Sequence, residues 1–178
     1  MEDVKRWSID PAHSKVQFSV KHMVISKVTG EFNKYDFKVD NMNGSLESAV
    51  IEFDIDASTI NTGIDDRDKH LKSGDFFDVE KYPKIHFKSS EIKKVGEEDY
   101  KMKGDLTIKD VTKPIEFNVT YGGQVVDPWG NIRAGYNVEG TIDRFDYNLT
   151  WNNLIETGGA VVGKTVKINS DIEIVKPQ

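Results

Sequence analysis

The sequence contains no cysteine. This absence excludes disulfide bonds, thiolate metal sites and cysteine nucleophiles, and it fits either an oxidising or a reducing compartment. No stretch reaches the length of about 20 apolar residues that a membrane-spanning helix needs, and the charged start, Met1–Trp7, lacks the apolar core of a secretory signal. We therefore expect a cytoplasmic protein, or a secreted or periplasmic one if this chain is a mature form from which a signal was removed.

The motifs of common enzyme classes are also missing. The sequence has no GxSxG elbow, no GxxxxGK[ST] phosphate loop and no GxGxxG dinucleotide fingerprint. Its four histidines, His13, His22, His70 and His86, are far apart and do not form an HExxH pattern. We therefore expect no catalytic residues, no cofactor and no metal site.

The charge balance argues against nucleic acid as a partner. The formal net charge is -6, so the average field repels phosphate backbones, and no basic stripe is interleaved with aromatic residues. Hydrophobic residues make up 37% of the chain and charged residues 30%, a composition typical of a folded domain rather than a disordered one. We expect a single domain over 1–178, with membrane contact at most transient.

Alternation of apolar and polar residues is the strongest pattern in the chain. Val16, Phe18 and Val20 alternate with polar neighbours, as in a strand with one buried face. The same pattern recurs at 51–56, 84–88, 115–120 and 166–174, and weaker strands are expected at about 28–39, 99–109 and 131–142. Roughly eight strands with short connections predict an all-β fold, a closed antiparallel eight-stranded barrel, with a β-sandwich as the alternative.

One segment, TGIDDRDKHLKSG, interrupts the alternation. A capping-box-like start at Thr62 and a terminal Gly74 predict a short helix at about 65–73, near one end of the barrel. Acidic residues four positions before basic ones support a solvated helix face. Phe76 and Phe77 follow directly, so we expect the helix and its tail to close one mouth of the barrel.

Five blocks of sequence carry a resemblance to a known family. They are WSIDPAHSKVQFSVKHMVISKVTGEFNKYDFKV, DDRDKHLKSGDFFDVEKYPKIHF, GDLTIKDVTKPIEFNV, GTIDRFDYNL and VGKTVKINSDIEI. In this order they resemble the YceI-like family of polyisoprenoid-binding proteins. The resemblance implies a lipocalin-like barrel whose interior holds a polyprenyl diphosphate, an isoprenoid quinone or a similar lipid, for transport or storage. It implies no catalytic residues, and it makes a homodimer a candidate assembly.

On this hypothesis the cavity is lined by apolar residues of the inward register and of the helix tail. They are Phe18, Val20, Phe32, Phe53, Ile55, Phe76, Phe77, Phe87, Leu106, Phe117, Val138 and Ile142. His22 continues the inward register of its strand, so it is expected near the pocket. Arg67 and Arg144 each lie close to aspartates, and each can form a structural ion pair at the barrel end or meet an anionic head group at the mouth.

Two other functions are compatible with the same pattern. The first is an enzyme that acts on an isoprenoid or lipid in the pocket, with His22, Arg67 or Arg144 as acid, base or anion clamp. The second is a stress-response interaction module whose barrel is filled by its own side chains. A filled core and a ligand-lined pocket use the same residue types, so composition does not decide between them.

Overall fold

An antiparallel β-sheet that curls around an apolar interior dominates the computed structural model, which describes residues 6–152 and 162–178. The strands are β1 (Ser8–Ile9), β2 (Lys15–His22), β3 (Ser26–Phe32), β4 (Tyr35–Asp40), β5 (Val50–Asp56), β6 (Ile60–Asn61), β7 (Lys84–Lys94), β8 (Asp99–Ile108), β9 (Val111–Val126), β10 (Ile132–Asp143) and β11 (Val162–Lys176). The helix α1 spans Asp65–Lys72, and 3₁₀ turns occupy Pro11–His13, Leu46–Ser48, Ala57–Thr59 and Arg144–Tyr147.

The strands form one sheet in the order β4-β5-β7-β8-β9-β10-β11-β2-β3-β6, with β1 paired beside the end of β11. The strands from β7 to β11 follow one another in sequence, and each pairs with the next. The N-terminal β2 then pairs with the C-terminal β11, so the two ends of the chain meet in the middle of the sheet. The right-handed twist of the strands curls such a sheet and gives it an inner face.

The expected closed barrel of eight strands differs from this sheet in strand number and in closure. The expected strand at 28–39 is interrupted at Asn33 and Lys34 and forms β3 and β4, while the two-residue strands β1 and β6 are too short to leave an alternating pattern. In the part of the chain that the structure describes, no ladder joins the end strands β4 and β6. The sheet is therefore an open half-barrel, since alternation reports the buried side of a strand but not the pairing of its edges.

Hydrogen bonds link the two chain segments next to the end strands, although no ladder among the described residues joins those strands. The Thr59 hydroxyl accepts hydrogen bonds from the Asn33 N–H at 3.1 Å and the Lys34 N–H at 3.0 Å. The Asp56 N–H donates to the Lys34 carbonyl at 3.0 Å. These bonds satisfy the main chain where β3 gives way to β4 and β5 gives way to β6.

The short helix is confirmed, although its start differs from the expected capping box. Asp65 begins the helix and Ile64 precedes it without a side-chain cap. Thr62 instead donates to Asp68, from its hydroxyl at 2.6 Å and from its N–H at 2.9 Å. No ion pair joins residues four apart within α1. No helix in the described ranges has the length and apolarity of a membrane span.

Candidate ligand-binding site

An apolar cavity of about 240 Å³ lies inside the curled sheet. Every strand except β1 and β6 contributes to its lining, together with α1 and the segments that follow α1 and β10. Among the described residues, the lining is apolar apart from Gln17, Tyr136, Arg144 and Ser170. An interior of this kind favours apolar guests, because it offers few partners to polar groups.

The structure places all the apolar residues expected at the cavity on its lining. They are Phe18, Val20, Phe32, Phe53, Ile55, Phe76, Phe77, Phe87, Leu106, Phe117, Val138 and Ile142. Alternation predicted them because each lies on the inward register of its strand or directly after the helix. Their contact with a ligand stays a prediction.

Other lining residues were missed by sequence reasoning. Phe37 and Val39 line the cavity from β4, and their spacing of two residues was a usable signal. Met42 and Leu46 line it from the irregular segment between β4 and β5, where no periodicity marks the buried side.

Two residues expected at the pocket, His22 and Arg67, are not on its lining. His22 is the last residue of β2 and pairs with Ser26 and Val162, at the hairpin end of the strand. Arg67 donates from Nε to the Thr62 hydroxyl at 2.7 Å and from a terminal nitrogen to the Thr62 carbonyl at 2.8 Å. Arg67 therefore anchors α1 to the chain before it, a contact that residue spacing did not show.

Arg144 does lie on the cavity lining, with only 3% of its surface exposed. Its guanidinium donates to four main-chain carbonyls, those of Leu149, Trp151, Val162 and Gly163. The expected ion pair is not formed with any carboxylate of the described residues. Burial lowers the pKa of Arg144, although nearby Asp143 opposes this effect. An arginine nevertheless stays protonated, so one side of the cavity carries a positive charge that no carboxylate of residues 6–152 or 162–178 pairs with directly.

Aromatic side chains pack together beside α1 and the cavity. Phe77 lies edge-on to Phe32, with ring centroids 5.9 Å apart. Phe76 packs against Trp151 at 5.4 Å, and His70 lies edge-on to Trp151 at 4.6 Å. The helix and its tail thus contribute to the cavity lining through Leu71, Phe76 and Phe77, and Trp151 packs beside them from a segment without regular structure. That they close one mouth stays a prediction.

Asp10, His13 and Glu173 form a polar cluster, in which the atoms able to bind a metal lie within 4.8 Å of one another. Such a set is a candidate for a metal ion, but the Arg133 guanidinium already donates to Asp10 at 2.6 Å and to Glu173 at 2.8 Å. It also donates to Asp127 at 2.8 Å. Arg133 therefore supplies the positive charge that these carboxylates require, and the cluster is a structural ion network.

The pKa values of this network reflect the same contacts. Desolvation raises the pKa of Asp127, but hydrogen bonds from Arg133, Asn131 and Trp129 outweigh it and lower the value to about 2. Hydrogen bonds to Asp127, Glu173 and Asp10 raise the pKa of Arg133. Asp127 and Arg133 therefore stay ionised at neutral pH.

Comparison with known sequences gives one consistent result. The YceI-like domain model matches residues 7–174. A UPF0312 protein of Staphylococcus aureus (strain bovine RF122 / ET3-1) is 40% identical over 168 residues, which cover 94% of this chain and 95% of that protein. A UPF0312 protein of Staphylococcus aureus strain N315 is 39% identical with the same coverage.

Solved structures share the fold. The YCEI protein of Campylobacter jejuni has a TM-score of 0.75 at 29% identity, covering 89% of this chain and 90% of that one. Burkholderia cenocepacia BcnA has a TM-score of 0.80 at 24% identity, covering 93% and 98%. A polyisoprenoid binding domain from Saccharophagus degradans has a TM-score of 0.68 at 19% identity, covering 97% and 99%. The latter two identities are low, so these likenesses establish the common fold alone.

Proposed function

Because the chain belongs to the YceI-like family, we propose that it is a non-catalytic carrier that holds the tail of a long isoprenoid inside its curled sheet. The single observation that carries this proposal is the apolar cavity enclosed by the strands and lined also by α1 and its tail. The Saccharophagus degradans domain of the same fold is described as polyisoprenoid-binding. Polyprenyl diphosphates and isoprenoid quinones are therefore the first ligands to test.

The tail supplies most of the binding free energy in this proposal. Each methylene moved from water into an apolar interior contributes about 0.8 kcal/mol. The cavity volume of about 240 Å³ lies just below the range of about 300–1,000 Å³ that is common for ligand pockets. We therefore expect affinity to rise with tail length as long as each added isoprene unit enters the cavity, and to level off once the cavity is full.

Arg144 favours one orientation of the ligand in the cavity. Four of its five N–H groups are used by main-chain carbonyls, and its charge has no direct carboxylate partner among the described residues. A diphosphate or a quinone carbonyl placed near Arg144 meets a favourable field, whereas the rest of the lining offers almost no polar contact. We infer that the head group lies on the Arg144 side of the cavity.

The geometry favours a carrier over the other two functions. His22 and Arg67 are not on the cavity lining, so the residues considered for acid–base chemistry do not converge inside it. A barrel filled by its own side chains leaves no interior space, whereas this sheet encloses a cavity of about 240 Å³.

A matched pair of substitutions on one strand tests the proposal. Val138 lines the cavity from β10, while its neighbour Glu139 is exposed on the outer face. Val138→Trp reduces the interior volume. We expect this variant to bind a prenyl diphosphate about tenfold more weakly, because about two methylene groups of the tail lose their burial. The Kd is measured by isothermal titration calorimetry. Glu139→Gln leaves the Kd unchanged.

Thermal unfolding of both variants is the control that checks whether the fold is retained. Equal affinity of the wild type and a folded Val138→Trp variant would place the ligand outside the cavity. Release of phosphate from the prenyl diphosphate during the titration would contradict the non-catalytic part of the proposal.

A further inference from the structure

The turn between β2 and β3 presents three apolar side chains to solvent in succession. Met23, Val24 and Ile25 are 39%, 64% and 90% exposed. A single exposed apolar residue is ordinary, but a contiguous exposed group often marks an interaction site. We refer to these three residues as the hairpin tip.

The backbone of the hairpin tip is unfavourable for the residues it contains. Met23 has a φ of 52° and Val24 a φ of 67°, both in the left-handed region. Glycine and asparagine adopt this region readily, whereas a β-branched residue such as valine is disfavoured there. The tip therefore keeps apolar side chains at a cost in stability, although their exposure shows that little packing offsets it.

The charged residues that flank the tip in sequence are of one sign. From Pro11 to Gly30 the sequence has three lysines and no aspartate or glutamate, although the whole chain has a net charge of -6. Lys21 and Lys27 are exposed and lie directly opposite each other in the β2–β3 ladder. Like charges in this position repel, and neither lysine forms an ion pair with another described residue.

We propose that the hairpin tip docks this protein on an anionic lipid bilayer. Met23, Val24 and Ile25 enter the boundary between head groups and acyl chains, while Lys21 and Lys27 contact lipid phosphates. Apolar side chains bordered by lysines are the combination that binds such surfaces. The anionic surface also relieves the repulsion between the two lysines.

The tip is also well placed for exchange of an apolar guest. Phe18 and Val20 of β2 line the cavity, and so does Val162, which pairs with His22 next to the tip. Docking therefore brings this end of the cavity close to the bilayer. The docking inference does not depend on the identity of the cavity ligand, because its evidence is the tip itself.

The opposite end of the sheet offers a matched control. The β9–β10 hairpin end has its own exposed apolar residues: Val125 and Val126 at the end of β9 and Trp129 in the turn are 63%, 61% and 79% exposed. It adjoins the Asp127–Arg133 ion pair rather than a pair of lysines. It also lies near Lys176, at the far end of β11 from the hairpin tip.

Flotation with lipid vesicles that contain no isoprenoid tests the proposal separately from the carrier function. The full chain is mixed at low salt with phosphatidylcholine vesicles, either alone or with about a third phosphatidylglycerol. We expect binding to the anionic vesicles only, weakened by added salt. Replacing Lys21 and Lys27 by glutamine weakens binding roughly fivefold per lysine. Trp129→Ser leaves it unchanged.

The decisive variant combines Met23→Asn, Val24→Gly and Ile25→Ser. It places asparagine and glycine at the two left-handed positions, so the fold is expected to be at least as heat-stable as the wild type, while the apolar contact with the bilayer is lost. Loss of flotation in this stable variant supports the proposal. No flotation of the wild type, or equal flotation of the variant, overturns it. A wild-type dimer that the variant converts to monomer, with no flotation of either, assigns the tip to self-association instead.

Discussion

At the scale of single residues, Arg133 joins three separate parts of the chain. Its guanidinium donates to Asp10 before the first 3₁₀ turn, to Asp127 in the β9–β10 turn and to Glu173 on β11. The first and last of these carboxylates are far apart in sequence, so no local motif reveals the network. It holds the N-terminal segment against the C-terminal strand.

The Asp127 carboxyl in this network is expected to titrate at unusually low pH. Its folded pKa of about 2 lies below the usual unfolded value of about 3.9. The stability that it contributes is therefore complete above the unfolded pKa and is lost as the pH falls through the folded pKa. Carboxyl NMR titration should give a midpoint near 2 for Asp127, and Arg133→Gln should raise it. A midpoint near 4 in the native protein would contradict the network.

Arg144 is expected to matter for stability through its carbonyl partners. Arg144→Met removes the donor from the carbonyls of Leu149, Trp151 and Gly163, while the Val162 carbonyl keeps the Asn152 amide, and a buried acceptor without a partner costs about 1–3 kcal/mol. Water replaces the lost donor at some of these carbonyls, which limits the total cost. We therefore expect the free energy of unfolding, measured in urea, to fall by about 3 kcal/mol. Arg144→Lys keeps the charge but has fewer hydrogen-bond donors, so its free energy of unfolding should fall by less. A loss below about 1 kcal/mol for Arg144→Met would show that these hydrogen bonds contribute little.

At the scale of elements, Gly104 permits β7 and β8 to approach closely. A Cβ at this position lies 2.3 Å from the Lys88 carbonyl oxygen and 2.6 Å from the Phe87 ring. Because the nearest atom belongs to the main chain, Gly104→Ala should lower the free energy of unfolding by about 2 kcal/mol. Gly135→Ala on β10 is the control, since its Cβ has no neighbour within 4 Å. Equal stabilities of the two variants in urea would contradict this packing.

Strand positions were more predictable than strand ends and edges. The alternation of Val16, Phe18 and Val20 identified β2, because a half-buried strand repeats every two residues. The strand expected at 115–120 instead extends through Gly122 and Gly123 to Val126 as β9, with a register shift opposite Gly135. A glycine pair in a strand can mark a bulge as well as a turn, so the sequence alone did not fix the strand end.

The helix shows the same limit for side-chain contacts. Its position at Asp65–Lys72 was predictable from composition and spacing. Its contacts were not, because Asp68 and Arg67 both bind Thr62 rather than residues one turn along the helix. Local acid–base spacing is weak evidence, since such pairs contribute only about 0.2–0.5 kcal/mol each.

At the scale of the whole molecule, the cavity was more predictable than its borders. Inward residues such as Phe53 and Phe117 follow from alternation and reach the lining as expected. His22 follows the same alternation but lies at the hairpin end, beyond the cavity. The alternation of apolar and polar residues identifies the inner face of a strand, but it does not show where along the strand the cavity ends. The open edge between β4 and β6 is likewise a property of the assembled sheet.

Native mass spectrometry after incubation with a prenyl diphosphate tests the central claim most directly. The proposed carrier predicts a one-to-one complex with the wild type, intact lipid recovered on denaturation, and little complex with Val138→Trp. Wild-type protein that stays free of lipid across a series of tail lengths, or that binds no better than folded Val138→Trp, would contradict the proposal that the cavity holds an isoprenoid tail.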